Sequence, residues 1–109
     1  MDFFRYDPST ALPLEGGVNA FFVPVKRGDK LAAMLLLLDR KGDAGKREVS
    51  NDMMLIVIAG EGRVRSGGEV ADLKPGDVAI LLGGLQNHIW TIDTQLQAVL
   101  MTMPSASAG

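Results

Sequence analysis

Residues 53–84 read MMLIVIAGEGRVRSGGEVADLKPGDVAILLGG, a succession of short apolar stretches separated by tight turn signals. The signals recur at a nearly constant interval, since successive turns at Gly60, Gly67, Gly76, Gly84 and Asp93 are separated by 7, 9, 8 and 9 residues. Short strands at such regular spacing are typical of a sandwich or a closed barrel. The sequence therefore predicts an all-β fold.

Outward from this stretch, the chain divides into three parts. Residues 1–20 contain Pro8, Pro13 and Gly16-Gly17 and are predicted to form an irregular N-terminal arm, docked through its aromatic side chains. Residues 21–103 are predicted to form the barrel, and the small-residue tail 104–109 is predicted to be disordered.

Two features near the start of the predicted barrel, Pro24 and the apolar run from Leu31 to Leu38, cannot be interpreted from the turn spacing alone. Pro24 cannot donate to a sheet ladder, so we expect it at an edge or a bulge. The run from Leu31 to Leu38 has the composition of a helix, because Ala, Met and Leu favour helices. Its length and the turn signals on either side, with Asp39-Arg40-Lys41-Gly42 after it, favour a buried strand instead.

Two strands are apolar at every position rather than at alternate ones, namely residues 53–59 and 78–82. One face of each must contact the core, and the other face must be covered as well. The cover is either a second subunit or the N-terminal arm, and we predict a homodimer.

Composition excludes several classes of protein. The net charge of −2 argues against a nucleic-acid partner, which requires a basic face. No cysteine is present, so disulfides, thiol nucleophiles and thiolate metal sites are excluded. The longest apolar run has 8 residues, from Leu31 to Leu38, whereas a membrane-spanning helix needs about 20. We therefore expect no membrane partner and a cytoplasmic location.

Two segments carry a family resemblance. Residues 57–64, VIAGEGRV, and residues 73–81, LKPGDVAIL, followed by a glycine loop and a histidine, resemble the small single-domain cupins of the RmlC-like superfamily. The resemblance covers roughly residues 30–103. It implies a cupin-like double-stranded β-helix, a jelly-roll barrel of two packed sheets, commonly assembled as a dimer.

The first metal-binding motif of that family has the form G-x5-H-x-H-x3,4-E-x6-G. Counting back from Gly60 places its glutamate position at Met53. The two histidine positions then correspond to Arg47 and Val49 with the shorter spacing, or lie near Glu48 and Ser50 with the longer one. None of these residues is a histidine.

The second motif, G-x5-P-x-G-x2-H-x3-N, places its histidine at Asn87, one residue before His88. Glu48, Asp52 and His88 could form a carboxylate-rich site, but strand alternation places both acids on the face opposite Met53. A transition-metal site needs three or four ligands. We therefore predict no metal cofactor, with a divalent transition metal as the alternative.

The candidate pocket is an apolar barrel interior with five contributing residues: Arg47, Met53, Asn87, His88 and Trp90. The preferred function is the binding of a small molecule there, or a structural or regulatory role. One alternative is an enzyme, a metal-dependent or metal-free isomerase or oxygenase, with unknown catalytic residues. Another is a protein-interaction module that uses an apolar sheet face formed by Met54, Ile56 and Ile58.

His88 is the only histidine of the chain and allows two interpretations. It could be a ligand or an acid/base group at the barrel mouth, since histidine titrates near neutrality. It could equally be a histidine that is hydrogen-bonded locally and has a purely structural role.

Overall fold

The computed structural model describes residues 1, 3–26 and 32–103. In these ranges the chain forms ten antiparallel strands and one short 3-10 helix, Pro8–Thr10, which confirms the all-β prediction. The strands are β1 (Leu12–Pro13), β2 (Val18–Lys26), β3 (Ala32–Asp43), β4 (Arg47–Glu48), β5 (Met53–Gly60), β6 (Gly62–Ser66), β7 (Glu69–Leu73), β8 (Val78–Leu81), β9 (Gln86–Trp90) and β10 (Leu96–Thr102).

The strands form one sheet that bends around its middle. Its order is β7-β6-β9-β3-β10-β5-β8, with β2 against β3, β1 against β2 and β4 against β9. Strand β3 joins the two halves, because Ala32 to Leu38 pair with β10 whereas Asp43 pairs with Trp90 of β9. At this corner Lys41 has a φ of 55°, and Asn19 on β2 has a φ of 49°.

This corner corrects one prediction. The turn expected over residues 39–42 is absent, and β3 continues to Asp43. The chain stays in the sheet, with Lys41 as a local left-handed residue, because residues beyond β9 satisfy its backbone: the Lys41 N–H donates to the Ile92 carbonyl at 2.8 Å, and the Gly42 N–H donates to the Thr91 hydroxyl at 2.8 Å. A turn would leave the N–H of the buried Gly42 without this partner.

Two other expectations for this region are confirmed. The run ending at Leu38 is a strand and not a helix from Ala32 onward, while Leu31 lies outside the described residues. Pro24 stands next to an irregularity, since the register of β2 against β3 shifts between Pro24 and Lys26.

The barrel core is formed by side chains that alternate along each strand. Leu36 and Leu38 of β3, Leu55 and Val57 of β5 and Leu81 of β8 are each at most 2% exposed. Burying each such side chain stabilises the fold by roughly 1.5–3 kcal/mol relative to leaving it exposed.

The alternate side chains of β5, β8 and β10 form a second apolar surface, which we call the outer face. It consists of Met54, Ile56, Ile58, Val78, Ile80, Val99 and Met101. Met54 pairs with both Ile80 and Met101. Ile58, Val78 and Ile80 are 52%, 57% and 47% exposed.

The N-terminal arm lies beyond one end of the outer face. Tyr6, Pro8 and Ala11 line a groove of about 520 Å³ together with Phe21 of β2 and Leu37 of β3. None of the seven residues of the outer face lines this groove. Ile58, Val78 and Ile80 stay exposed, so the described part of the arm does not cover these three side chains.

The remaining boundaries are close to those expected. Strand β2 begins at Val18, so the irregular arm is shorter than the predicted 1–20 and contains β1 and the 3-10 helix. The tail 104–109 lies outside the described residues. Across the ranges that are described, no helix has the length and apolarity to cross a membrane. The cytoplasmic location stays a prediction.

Candidate functional site

Two adjacent spaces lie at the barrel interior. The inner chamber has a volume of about 30 Å³, and the mouth has a volume of about 340 Å³. They lie next to each other, because they share the lining residues Leu14, Met34, Arg47, Met53 and Leu100. The chamber has room for one or two water-sized groups. The mouth reaches the lower end of the size range of small-molecule pockets.

The walls of both spaces are mainly apolar. Phe22 and Pro24 of β2 line the mouth, while Leu81 and Ile89 line the chamber. Arg47 lines both spaces, and it is the only charged residue that does so in the described part of the chain.

Arg47 is held by two loops at the junction of the chamber and the mouth. Its Nε donates to the Ala44 carbonyl at 2.9 Å, and its Nη2 donates to the Glu15 carbonyl. Both acceptors are neutral main-chain groups. Among the described residues the guanidinium has no carboxylate partner.

Asn87 contributes the buried polar group of the chamber. Its residue is 4% exposed, and its side-chain carbonyl accepts a hydrogen bond from the Ser66 hydroxyl at 2.6 Å. Its amide nitrogen Nδ2 has no hydrogen-bond partner among the described residues. A buried donor without a partner costs about 1–3 kcal/mol, so such groups are rare unless a ligand or water satisfies them.

Ser66 is the residue of this site that the sequence interpretation missed. It directly precedes the turn signal at Gly67, and in the structure it ends β6 and pairs with Asn87 of β9. Its role follows from the pairing of β6 with β9, which places the Ser66 hydroxyl beside the buried Asn87 amide. That pairing joins strands that are separated in sequence by β7 and β8.

Of the five residues predicted for the pocket, the structure brings three together. Arg47, Met53 and Asn87 line the inner chamber, and Arg47 is the direct cross-strand neighbour of Asn87. His88 and Trp90 line neither space. They alternate with Asn87 and Ile89 along β9 and therefore lie on its other side.

On that other side His88 has partners of its own. Its Nε2 lies 2.8 Å from the Asp43 carboxylate, whose Oδ1 also accepts from the Gly45 N–H at 2.7 Å. The imidazole stacks on Trp90 with 4.7 Å between ring centroids. Arg65 of β6 is the cross-strand neighbour of His88. These contacts correspond to the locally bonded, structural interpretation of His88.

The residues do not fit the metal site that the resemblance implies. With the shorter motif spacing, all four ligand positions do line the interior, but they are occupied by Arg47, Val49, Met53 and Asn87. No group of three or more His, Cys, Asp or Glu residues suited to a metal occurs within the described ranges. A cationic guanidinium and an apolar thioether are poor replacements for imidazole and carboxylate ligands.

The two acids considered beside the motif do not line either space. Glu48 is exposed on β4. Asp52 accepts a hydrogen bond from the Gly83 N–H at 2.7 Å and holds the loop after β8. Both spaces therefore lack carboxylates as well as imidazole in the described part of the chain.

Comparison with known proteins identifies similar folds among solved structures. No protein-family model matches the sequence, and no curated protein matches it. Solved structures do match. A cupin-like protein from Thermotoga maritima has a TM-score of 0.81 at 12% identity, covering 90% of this chain and 79% of that one.

Two further structures resemble the chain over most of its length. An RmlC-like cupin from Shewanella frigidimarina has a TM-score of 0.79 at 14% identity, with 95% and 92% of the two chains covered. The polyketide cyclase RemF from Streptomyces resistomycificus has a TM-score of 0.77 at 10% identity, with 92% and 78% covered.

The chain therefore has the cupin fold, as a single small domain, and the predicted jelly-roll barrel is confirmed. Its structural neighbours include both an enzyme and proteins described only as cupins. Identities this low show the fold alone, because unrelated functions share common folds.

Proposed function

We propose that this chain binds a small molecule inside its barrel and does so without a protein-built metal centre. The observation that carries the proposal is the buried amide of Asn87, whose Nδ2 has no partner among the described residues. It lines a chamber that lies next to an apolar mouth of about 340 Å³. An apolar pocket with few convergent polar groups is the usual form of a small-molecule site.

The chemistry of the lining favours binding over catalysis. General acid/base catalysis needs a side chain that exchanges protons near neutral pH. The polar side chains that line the two spaces are those of Arg47, Asn87 and Thr102, and a guanidinium, an amide and a hydroxyl are not the groups that usually serve as general acids or bases. The one histidine of the chain lies on the other side of β9, bonded to Asp43.

The test is a site-specific titration. Addition of 1-hexanol to ¹⁵N-labelled protein is expected to shift the side-chain amide resonance of Asn87 in a saturable manner and to leave that of Gln86, exposed on β9, unchanged. The variant Asn87→Leu fills the chamber and is expected to weaken hexanol binding. If neither hexanol nor its charged analogues produce a saturable shift at Asn87, the proposal is wrong.

We also propose that the chain forms a homodimer through the outer face. This surface lies on β5, β8 and β10, and β8 is the last strand of the sheet among the described residues. Monomeric proteins rarely expose contiguous apolar patches of this kind. An apolar edge strand can also pair with a second copy of itself about a two-fold axis.

The oligomeric state tests this second proposal. Ile80→Lys places a charge on the outer face and is expected to convert a dimer to a monomer in sedimentation analysis. The matched control is Val70→Lys, since Val70 is 51% exposed on β7 at the other end of the sheet. A wild-type chain that sediments as a monomer at micromolar concentration contradicts the proposal.

A further inference from the structure

The two polar side chains that line the inner chamber, Arg47 and Asn87, both offer hydrogen-bond donors there. The Asn87 carbonyl oxygen already accepts from the Ser66 hydroxyl at 2.6 Å, whereas Nδ2 has no partner among the described residues. Arg47 has no acceptor at all. Its recorded bonds use Nε and Nη2 and leave Nη1 without a partner among the described residues.

These two donors are neighbours. Arg47 of β4 and Asn87 of β9 are direct cross-strand partners. Side chains at such positions project from the same face of a sheet, with Cβ atoms about 4.5–5.5 Å apart. Both residues line the inner chamber, which is the space that a ligand group with two acceptor atoms would occupy.

The charge that lines the chamber and the mouth is positive in the described part of the chain. Arg47 is the only charged residue lining either space in the described ranges, and no carboxylate opposes it. Beyond it the mouth is bounded by apolar side chains such as Phe22, Pro24 and Met34. A cationic or donor-rich ligand would leave these N–H groups without acceptors.

We propose that the ligand is a monocarboxylate with a short apolar body, bound with its carboxylate between Arg47 and Asn87. This inference rests on the proposed function, because it names the class of molecule that occupies the barrel. Guanidinium and carboxylate groups match in geometry and charge. The chamber of about 30 Å³ accommodates one carboxylate, and the body extends into the mouth.

A comparison of three six-carbon probes tests the inference at pH 7. Hexanoate, 1-hexanol and hexylammonium have the same body and differ in head-group charge, and each is followed by the side-chain amide resonance of Asn87. Hexanoate is expected to bind about tenfold more tightly than hexanol, the lower end of what a charge-assisted hydrogen bond contributes, because Arg47 is exposed. Hexylammonium is expected to bind more weakly than hexanol.

Variants of Arg47 identify the group responsible. Arg47→Gln is expected to reduce the preference for hexanoate over hexanol to about twofold, because the charge-assisted bond is lost. Arg65→Gln makes the same chemical change on the other side of the sheet and is expected to leave the preference unchanged. Since Arg47 also joins two loops, Arg47→Lys serves as a second variant and is expected to retain a preference for hexanoate.

The outcomes separate the inference from the function on which it rests. Equal affinity of hexanoate and hexanol at Asn87 overturns the carboxylate class while the binding function stands. Loss of the preference in Arg65→Gln, or its absence in Arg47→Lys, also overturns it. If none of the three probes binds at Asn87, the proposed function fails and the inference fails with it.

Discussion

Asn87 and His88 are adjacent on β9, and their side chains lie on opposite sides of it. Asn87 is 4% exposed inside the barrel, whereas the His88 imidazole lies 2.8 Å from the Asp43 carboxylate on the other side. The position that corresponds to a metal-binding histidine in cupins thus holds a neutral amide. The one histidine of the chain, a single residue later, does not line the interior.

The first prediction tests whether His88, unlike Asn87, contributes to stability and not to ligand binding. His88→Ala removes the contact with Asp43 and the stack on Trp90, and is expected to lower the free energy of unfolding by about 1–2 kcal/mol. Hexanol binding inside the barrel is expected to stay within twofold of wild type, because His88 lines neither space. Urea denaturation and the Asn87 titration measure the two effects. A loss of binding in His88→Ala, at retained fold, would place His88 in the site.

The second prediction concerns the four ligand positions. The variant Arg47→His, Val49→His, Met53→Glu and Asn87→His places three imidazoles and a carboxylate around one interior, which is a donor set suited to Zn²⁺ or Ni²⁺. We expect it to retain about one metal ion per chain after dialysis, measured by elemental analysis.

The control for this design keeps Asn87 and makes only the other three substitutions. Its third imidazole is then the native His88, which lies on the wrong side of β9, so we expect weaker metal retention. Equal retention by the two variants would contradict the placement of His88.

The third prediction compares two glycines of the turn series. Gly60 and Gly84 both have positive φ angles, 78° and 82°. A Cβ atom at Gly60 would lie 1.9 Å from the Gln95 carbonyl oxygen, whereas nothing lies within 4 Å of one at Gly84. Gly84→Ala should cost about 1–2 kcal/mol through backbone strain alone.

Gly60→Ala adds a steric clash to the same strain and is expected to destabilise the protein considerably more. Thermal unfolding of the two variants makes the comparison, and a similar loss of stability in both would contradict the close approach of the β5 end to the segment before β10.

The fourth prediction concerns pH and the N-terminal arm. The Ser9 hydroxyl and backbone N–H both donate to the Asp7 carboxylate, and these bonds lower the pKa of Asp7 below its ordinary value of 3.8. A lowered pKa in the folded arm means that the ionised carboxylate stabilises the 3-10 helix above the ordinary value. This contribution is lost as the pH falls through the lowered pKa.

An NMR titration of the Ser9 amide measures this effect. We expect its resonance to change below pH 3.8 in the wild type and to lose this transition in Asp7→Asn, which keeps an acceptor but does not ionise. A transition above the ordinary value would contradict the assignment.

Much of the architecture could be predicted from local signals. Glycine and proline turns at regular intervals are recognisable in sequence because they reflect the conformational preferences of single residues. The hairpin of β6 and β7 follows directly, with Val64 buried and Arg63 and Arg65 exposed. Two of the candidate pocket residues, Met53 and Asn87, line the inner chamber.

The corner of β3 could not be predicted in this way. Residues 39–42 have the composition of a turn, yet they stay in the strand because Thr91 and Ile92 provide partners for Lys41 and Gly42. Those partners are about fifty residues away in sequence. Tertiary hydrogen bonding here overrides a local preference.

By itself the sequence determined the all-β class, the positions of most turns and the absence of a full set of imidazole and thiolate ligands, because each depends on residue identity and local periodicity. The tertiary structure alone decided which of Asn87 and His88 lines the barrel. A shift of one residue in the register of β9 would exchange them. That register is set by the pairing of Arg47 with Asn87 and of Arg65 with His88, between strands that meet only when the sheet closes.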